Sequence, residues 1–423
     1  VKILLVGSGG REHAIAWKIL QSPGVEHLWI APGNGGTAGL GGPAENVHIA
    51  AEDIDTLAGF ARAQRVDLTV VGPEVPLAMG IADAFQKLGL KVFGPSRAAA
   101  QLESSKAFAK DFMQRHGIPT ARFAAFTDYA SARRHLQQID YSVVIKASGL
   151  AAGKGVIVPE SPAEAETALH TIMVERVFGS AGESVVIEER LVGPEVSLLA
   201  FCDGKTVVPM PPAQDHKRVF DGDKGPNTGG MGAFAPSPLA PPALISTLTR
   251  TVLQPAIDGL RAEGLPFIGV LYAGLMLTAN GPKVLEFNCR FGDPETQVIL
   301  PLLDNDLVAI LEACVAGRLA ETPVRWRQAA AATVVLAARG YPGHYDKGHP
   351  ITGIGQAEGM DGVIVFHAGT KRIGQDVVTS GGRVLNVTAV GATLPDAVRR
   401  AYAAVDKIHF EGMHYRRDIG VRE

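Results

Sequence analysis

Between residues 215 and 232 the chain sets Asp215, Lys217, Arg218, Asp221, Asp223 and Lys224 in close alternation, then runs through Asn227, Thr228, Gly229 and Gly230. No helical or strand periodicity runs through this stretch, so packing alone does not explain its composition. Long loops of this kind in a compact chain are either functional or disordered. Two other segments carry chemistry that such a loop could serve. Glu286 and Asn288 lie two residues apart in a strand-like run, so their side chains share one face. Their hard oxygens suit magnesium, whose shell phosphate oxygens and water would complete. Arg290 and Asp293 follow at once. A guanidinium takes a carboxylate bidentately where lysine acts as a point charge, although a buried ion pair would explain the same residues.

Two glycine-rich turns lie upstream. Gly7, Gly9, Gly10, Arg11 and Glu12 follow a strand-like run and open a helix, where backbone N–H groups can receive an anion. A dinucleotide fingerprint is not met. Glu12 stands where its third glycine belongs, and the second strand ends in Ala31 and Pro32 without an acidic ribose partner. The second turn, Gly149 to Gly155, is one residue short of a phosphate loop and has Gly155 in place of Ser or Thr. It follows a strand carrying Lys146 and contains Lys154, so it reads as a flap able to cover a triphosphate or as a plain hairpin. Glu188 and Glu189 end a further strand that breaks at Gly193 and Pro194 before Glu195; paired glutamates by themselves also suit a solvated face.

At 423 residues the chain exceeds one ordinary core, and about three domains are expected. Hydrophobic content of 46% with 20% charged residues describes a soluble globular protein. A net charge of -3 gives no field for nucleic acid or an anionic membrane, so any anionic ligand must be held locally. Cys202, Cys289 and Cys314 lack CxxC spacing and read as reduced thiols of a cytoplasmic protein. The apolar opening residues are too few for a signal-peptide core. The apolar run at 329–338 is half of the roughly 20 residues that span a bilayer.

These residues need elements to position them. Short runs at 3–6, 28–31, 68–71 and 91–93 alternate with helical patterns and predict a doubly wound parallel sheet. A helix over 104–113 is stopped by Gly117 and Pro119. From about 120 to 325 the pattern is α+β, with strands at 142–147, 185–189, 196–202, 206–210, 269–278 and 283–288. Helices are expected from Pro162 behind a Ser161–Glu164 capping box, over 243–263 and over 306–316. The last hundred residues read as a separate small unit. Its strands fall at 331–337, 363–368, 376–379 and 384–390, with Ser380, Gly381 and Gly382 as the hairpin turn between the last two. Thr393 caps a helix to about 408.

Taken together, the segments Gly7 to His13, Lys146 to Gly155, 215–232 and Arg290 to Glu295 resemble those of the ATP-grasp ligases, and most closely the glycinamide ribonucleotide synthetases. One departure is Ser148, where many bacterial members carry aspartate. The resemblance implies an α/β and α+β multidomain fold. It has an N-terminal Rossmann-like domain over 1–103 and an ATP-grasp domain over 104–326, with a nucleotide-covering flap at about 120–192. A mixed β/α domain over 327–423 completes it. It also implies ATP-driven ligation of glycine to 5-phosphoribosylamine through glycyl phosphate, releasing ADP and phosphate, in purine biosynthesis.

The same resemblance assigns roles. Lys106 and Lys146 would hold the ATP phosphates beneath a flap containing Gly153, Lys154 and Gly155. Glu188, Glu189 and Leu191 would meet adenine, and Glu195 the ribose hydroxyls. Glu286 and Asn288 would carry Mg2+ or Mn2+. Arg290 would take the glycine carboxylate and steady the transferring phosphoryl. Asp215, Lys217 and Asp293, with Asn227, Thr228, Gly229 and Gly230, would surround the amino substrate, and Gly9, Gly10, Arg11 and Glu12 its ribose phosphate. The expected partners are small molecules alone, acting on a monomer. Another carboxylate–amine ligase or a carboxylase would share Lys146, Glu188 and Glu286 but has no need of the 215–232 loop. A non-catalytic nucleotide sensor would be expected to have lost one of the metal ligands or phosphate lysines.

Overall fold

The computed structural model describes residues 1–151 and 155–421. Gly153 and Lys154, expected in the flap, lie outside the described residues. The amino-terminal part is built on five parallel strands, β1 (Lys2–Gly7), β2 (His27–Pro32), β3 (Ala44–Asn46), β4 (Leu68–Val71) and β5 (Val92–Phe93), in the order β3-β2-β1-β4-β5. Ile3, Leu4, Leu5 and Val6 are fully buried, as a strand covered on both faces requires. Strand β3, a three-residue Ala-Glu-Asn segment, carries no apolar pattern and is invisible to a periodicity reading. Strand order reverses beside β1, and in such sheets the crevice outside the carboxyl ends of the strands binds ligands. Gly7 and Gly72 stand there.

The middle of the chain forms two antiparallel sheets. Strands β6 (Phe123–Phe126), β7 (Val143–Ala147), β8 (Val156–Ile157) and β9 (Val185–Glu189) pair in the order β6-β9-β7-β8. The helix Pro162–Met173 covers this sheet with Ala165, Ala168, Leu169 and Ile172. Its expected cap is present: the Glu164 N–H donates to Ser161 Oγ at 3.2 Å. Strands β10 (Glu195–Asp203) and β11 (Val207–Pro209) come next. Residues 214–235 then supply β12 (Gln214–Asp215), β13 (Arg218–Phe220), β14 (Lys224–Asn227) and β15 (Gly232–Ala235). Strands β16 (Ile268–Thr278) and β17 (Gly281–Asn288) complete the second sheet, ordered β11-β10-β16-β17. The 215–232 segment is therefore not a structureless loop. Its strands escaped the sequence reading because β13 and β14 bury only Val219 strongly, leaving no alternation to detect.

The carboxyl-terminal strands are β18 (Ala330–Ala337), β19 (Val363–His367), β20 (Thr370–Ile373), β21 (Asp376–Thr379) and β22 (Arg383–Gly391). Their main sheet is ordered β12-β15-β18-β22-β19, so it takes two strands from the 214–235 region. The expected hairpin at Ser380–Gly382 is corrected. Strand β21 pairs with β20, and β22 lies between β18 and β19. Gly381 instead crosses Gly369 so closely that an added Cβ would stand 2.8 Å from the Gly369 Cα. The helix Leu394–Val405 packs on this sheet, with the Asp396 N–H donating to Thr393 Oγ1 at 3.3 Å. Among the described residues no helix is long and apolar enough to cross a membrane.

The first and last parts meet around Gly36, where a Cβ would stand 2.5 Å from both the His13 and His367 rings. The His367 N–H donates to His13 Nδ1 at 2.8 Å, and Arg372 Nε donates to Gly35 O at 2.9 Å. Burial, then the neighbouring His367, lowers His13 from 6.5 to about 3. Burial, then Arg372, lowers His367 to about 4. Both rings stay neutral in the fold but take a proton below pH 6.5 once unfolded, so their contribution to stability is lost as pH falls from 6.5 toward 4. Each histidine adds a slope of about 1.4 kcal/mol per pH unit across that window. His367→Asn is expected to remove one such share between pH 6.5 and 5. Equal slopes for the two proteins in urea unfolding at each pH would exclude His367 from this effect.

Candidate active site

The helix Lys106–Arg115 begins at Ser105, whose Oγ accepts the Phe108 N–H at 3.2 Å. It sets Lys106 and Lys110 one turn apart on one face. Across from it, β7 and β9 pair Val144 with Glu188, which makes Lys146 a diagonal same-face neighbour of Glu188. Glu188 is the result of both placements. Its Oε2 lies 2.9 Å from Lys110 Nζ and its Oε1 lies 3.0 Å from Lys146 Nζ, with all three side chains nearly inaccessible. Burial works against the Glu188 carboxylate, but Lys146 and Lys110 outweigh it and hold it below its usual range. Burial lowers Lys110 to about 8 despite Glu188. The sequence reading missed Lys110; its spacing of four from Lys106 was the available signal.

Two residues expected to meet adenine have their carboxylates engaged by the protein. The Glu188 carboxylate is committed to two lysines. Glu189, one residue on, faces the other side of the sheet, 3.3 Å from Arg122 Nε and 3.9 Å from Lys283 Nζ. The link to β10, containing half-buried Leu191, passes so near Leu277 that a Cβ on Gly193 would meet its carbonyl at 2.2 Å. Main-chain groups of the link, not carboxylates, are what it can offer. Ser148, the departure noted in sequence, accepts the Ala107 N–H at 3.1 Å through its Oγ, which is the capping work an aspartate would do. The Lys106 ammonium donates to Gly149 O at 3.3 Å, and Gly155 O accepts the Ala147 N–H at 2.8 Å.

Glu286 joins this cluster to the rest of the cleft. Burial opposes its ionisation, but Lys217, Lys146, Lys106 and Arg290 together hold its carboxyl below the ordinary range. It makes no direct ion pair among the described residues within 4.0 Å, so an ionised hard oxygen ligand faces the space that these four cations surround. Asn288 is different: its Oδ1 accepts from Arg290 Nη2 at 3.2 Å, so its oxygen is engaged. Of the expected metal pair, Glu286 presents unpaired carboxylate oxygens, and Asn288 Oδ1 keeps one lone pair beside its bond to Arg290.

Arg290 likewise does not present an open fork. Its Nε lies 3.2 Å from Glu74 Oε2 and its Nη2 lies 3.0 Å from Glu103 Oε1, while Nη1 donates to Phe291 O at 3.1 Å. Glu103 also accepts the Cys289 N–H at 2.7 Å. The bidentate expectation is thereby narrowed to the one Nη1 hydrogen still uncommitted. Glu74 and Glu103, both missed in the sequence, are the reason.

The loop residues approach from the opposite wall. Lys217 Nζ lies 3.0 Å from Glu195 Oε2, so Glu195 is a partner of lysine before it meets any ribose. Burial raises the Asp215 carboxyl against the opposing pull of Lys217. Beneath them Tyr272 donates to Glu295 Oε1 at 2.7 Å and stands 2.8 Å from Ser197 Oγ. Burial and then Asp215 raise Glu295 to about 7.

Asp293 pairs with Arg383 at 3.2 Å and accepts from Gln297 at 2.7 Å. Arg383 also donates to Gly229 O at 2.6 Å, and Tyr341 accepts the Gly229 N–H at 3.0 Å. Thr228 spends its hydroxyl internally, donating to Lys217 O at 2.8 Å and accepting the Gly230 N–H at 3.0 Å. Asn227 lies on β14 opposite Arg218.

The first turn is also more self-contained than expected. Glu12 folds beneath Gly7 and Gly72, where side chains would overlap it, and accepts the Gly9 N–H at 2.6 Å. Arg11 pairs with Glu12 at 2.5 Å and donates to Phe291 O at 3.1 Å. A Cβ on Gly10 would stand 2.4 Å from Asn386 Nδ2. A bound anion would therefore find the Gly9 amide already occupied, and Arg11 and Glu12 serve the turn itself.

The same three-part construction recurs in known proteins. Residues 1–103 match the N domain of phosphoribosylglycinamide synthetase, 104–296 its ATP-grasp (A) domain and 331–422 its C domain. The chain is 56% identical to a phosphoribosylamine–glycine ligase of Nostoc sp., with 100% of this chain and 99% of that protein covered. It is 54% identical to the trifunctional purine biosynthetic protein adenosine-3 of Gallus gallus, of which it spans 42% while being covered over 100% of its own length. The crystal structure of a phosphoribosylamine–glycine ligase from Thermotoga maritima superposes with a TM-score of 0.86 at 36% identity, covering 99% of this chain and 100% of that one. The biotin carboxylase domain of the Hydrogenobacter thermophilus 2-oxoglutarate carboxylase, at 18% identity and a TM-score of 0.74, shares the fold. With family matches over nearly its whole length and 56% identity to a relative covered almost end to end, the chain belongs to the phosphoribosylglycinamide synthetase family.

Proposed function

We propose that the chain joins glycine to 5-phosphoribosylamine at the expense of ATP, giving glycinamide ribonucleotide, ADP and phosphate, as a cytoplasmic step of purine biosynthesis. The observation that carries the reading is the position of Glu286, which feels Lys106 and Lys146 from the nucleotide side and Lys217 and Arg290 from the substrate side. Phosphoryl transfer asks a protein for position and charge neutralisation, and this cleft supplies both. The buried, unpaired thiols Cys202, Cys289 and Cys314 suit a reducing compartment.

In this reading Lys106 and Lys146 hold the ATP phosphates, and Lys146 is oriented by Glu188 with Lys110. Glu286 fits a divalent cation, since it is ionised and offers uncommitted oxygens among groups that bind phosphate. Mg2+, or Mn2+ on the same hard ligands, would supply charge neutralisation for the transferring phosphoryl group when bound. A glycine carboxylate oxygen attacks the γ-phosphorus as the bond to the ADP oxygen breaks, leaving glycyl phosphate. The phosphoribosylamine nitrogen then attacks the acyl carbon, the C–O bond to phosphate breaks, and the amine gives up a proton. Arg290 lends its charge and remaining Nη1 hydrogen to the carboxylate and phosphoryl. Asp215, Lys217 and Asp293 line the amine side, with the Gly10 end of the first turn, beyond the occupied Gly9 amide, at the ribose phosphate.

The test is an assay with ATP, magnesium, glycine and freshly generated phosphoribosylamine. ADP and phosphate should appear only when both other substrates are present. AMP and pyrophosphate, or release independent of glycine, would overturn the assignment.

A further inference from the structure

The β13–β14 hairpin is short, and isolated two-stranded hairpins are marginal in water. Its turn uses left-handed backbone at Gly222 (φ +66) and Asp223 (φ +52), and Phe220 beside it is 51% exposed. Among the described residues, the apolar cluster beneath it is small: Val219 with Met231 and Ala337, and Tyr341 packed against them. What holds it is the carboxyl-terminal segment. Arg416, only 1% exposed, donates through Nη1 to Arg218 O at 3.1 Å and pairs with Asp223 at 2.7 Å. Its Nε and Nη2 take both oxygens of Asp418 at 2.7 and 2.6 Å, and Asp418 in turn accepts the Gly222 N–H at 2.9 Å. The Arg417 N–H donates to Asp221 Oδ1 at 2.7 Å, and His414 Nε2 donates to Val219 O at 2.8 Å. Tyr402, on the helix Leu394–Val405, anchors the segment by donating to Arg416 O at 2.8 Å.

Every backbone carbonyl or amide named on the hairpin side would otherwise face water, so ordering the hairpin depends on this polar fork. The base of the hairpin is tied to the cleft, because the Thr228 N–H and hydroxyl both donate to Lys217 O, at 2.7 and 2.8 Å. We propose that residues 414–418, through Arg416, form a clasp that orders the hairpin and thereby positions Lys217 and Asp215 for the amino substrate. Arg416 is then a positioning residue that acts through the hairpin. The kinetic half of the proposal rests on the reading that this loop addresses the amino substrate.

The full chain is compared with its Arg416→Met, Arg416→Lys and Asp223→Asn variants by hydrogen exchange, Mg-ADP titration and steady-state kinetics. Asp223→Asn keeps a residue that tolerates left-handed backbone and alters an exposed carboxylate, so it carries the test even if Arg416→Met fails to fold. The clasp predicts exchange over 218–227 at least about tenfold faster in Arg416→Met, with a smaller rise in Asp223→Asn and partial recovery in Arg416→Lys. KM for phosphoribosylamine should rise about tenfold or more, with kcat changed less and Mg-ADP affinity within about twofold. Unchanged exchange over the hairpin in both Arg416→Met and Asp223→Asn, or faster exchange with unchanged KM, would overturn it. If the unaltered chain makes no product at all, the functional reading fails while the exchange arm still decides whether the clasp exists.

Discussion

Glu286→Gln is expected to lower turnover by about a thousandfold or more while leaving the fold intact. The side chain projects from the end of β17, whose register with β16 is set by backbone pairing, and glutamine keeps both shape and register. What it removes is a negative charge that Lys217, Lys146, Lys106 and Arg290 all feel, while Glu195, Glu188, Glu74 and Glu103 keep their own contacts with three of those cations. Two further consequences separate this from simple loss of structure. Nucleotide affinity should lose its dependence on magnesium, because the hard oxygen ligand is gone. Metal-free ADP should bind as tightly as before or tighter, because the cleft has lost one negative charge that opposed the phosphates. Turnover within about tenfold of the unaltered chain would remove Glu286 from the metal site.

The largest stability effect is expected at Glu188. Glu188→Ala leaves Lys110 and Lys146 buried with no counter-ion, a situation that typically costs about 3–5 kcal/mol. The cost falls where the helix Lys106–Arg115 meets β7 and β9, so in a chain of several domains it should be read locally, by hydrogen exchange over β9. Adding Lys110→Met to Glu188→Ala should recover part of the loss, because one stranded charge becomes apolar packing. Additive losses in the double variant would show that the pair is not coupled through Glu188. The lowered Lys110 value of about 8 gives a second handle: its proton is lost more readily in the fold than in the unfolded chain. The stability associated with neutral Lys110 therefore rises as pH goes above 8, and Glu188→Ala should be least damaging there.

Much of this was legible in the sequence where a single element dictates its own pattern. The parallel strands β1, β2 and β4, the Ser161 cap and the β17 face carrying Glu286 all follow from local periodicity and punctuation. Two kinds of feature were not. Strands β12 to β14 are polar and short, and β15, which carries β12, pairs with β18 across about a hundred residues, so the place of β12 and β15 comes from a partner that no local window contains. The second kind is commitment of side chains. Sequence types gave Arg290, Glu188 and Thr228 as free ligands, but Glu74 and Glu103, Lys110, and Lys217 O occupy them, and those partners lie between 11 and 216 residues away. Arg383 and Arg416 were missed for the same reason: each is an ordinary basic residue until the fold brings a glycine turn or an aspartate to it.

The central claim is that the carboxylate of glycine is activated as an acyl phosphate in the cleft around Glu286. Glycine labelled with 18O in both carboxylate oxygens tests it most directly. The account predicts that each turnover in unlabelled water transfers one labelled oxygen to the released phosphate and leaves the other in the amide product. Phosphate that carries no label, while product still forms, would contradict it.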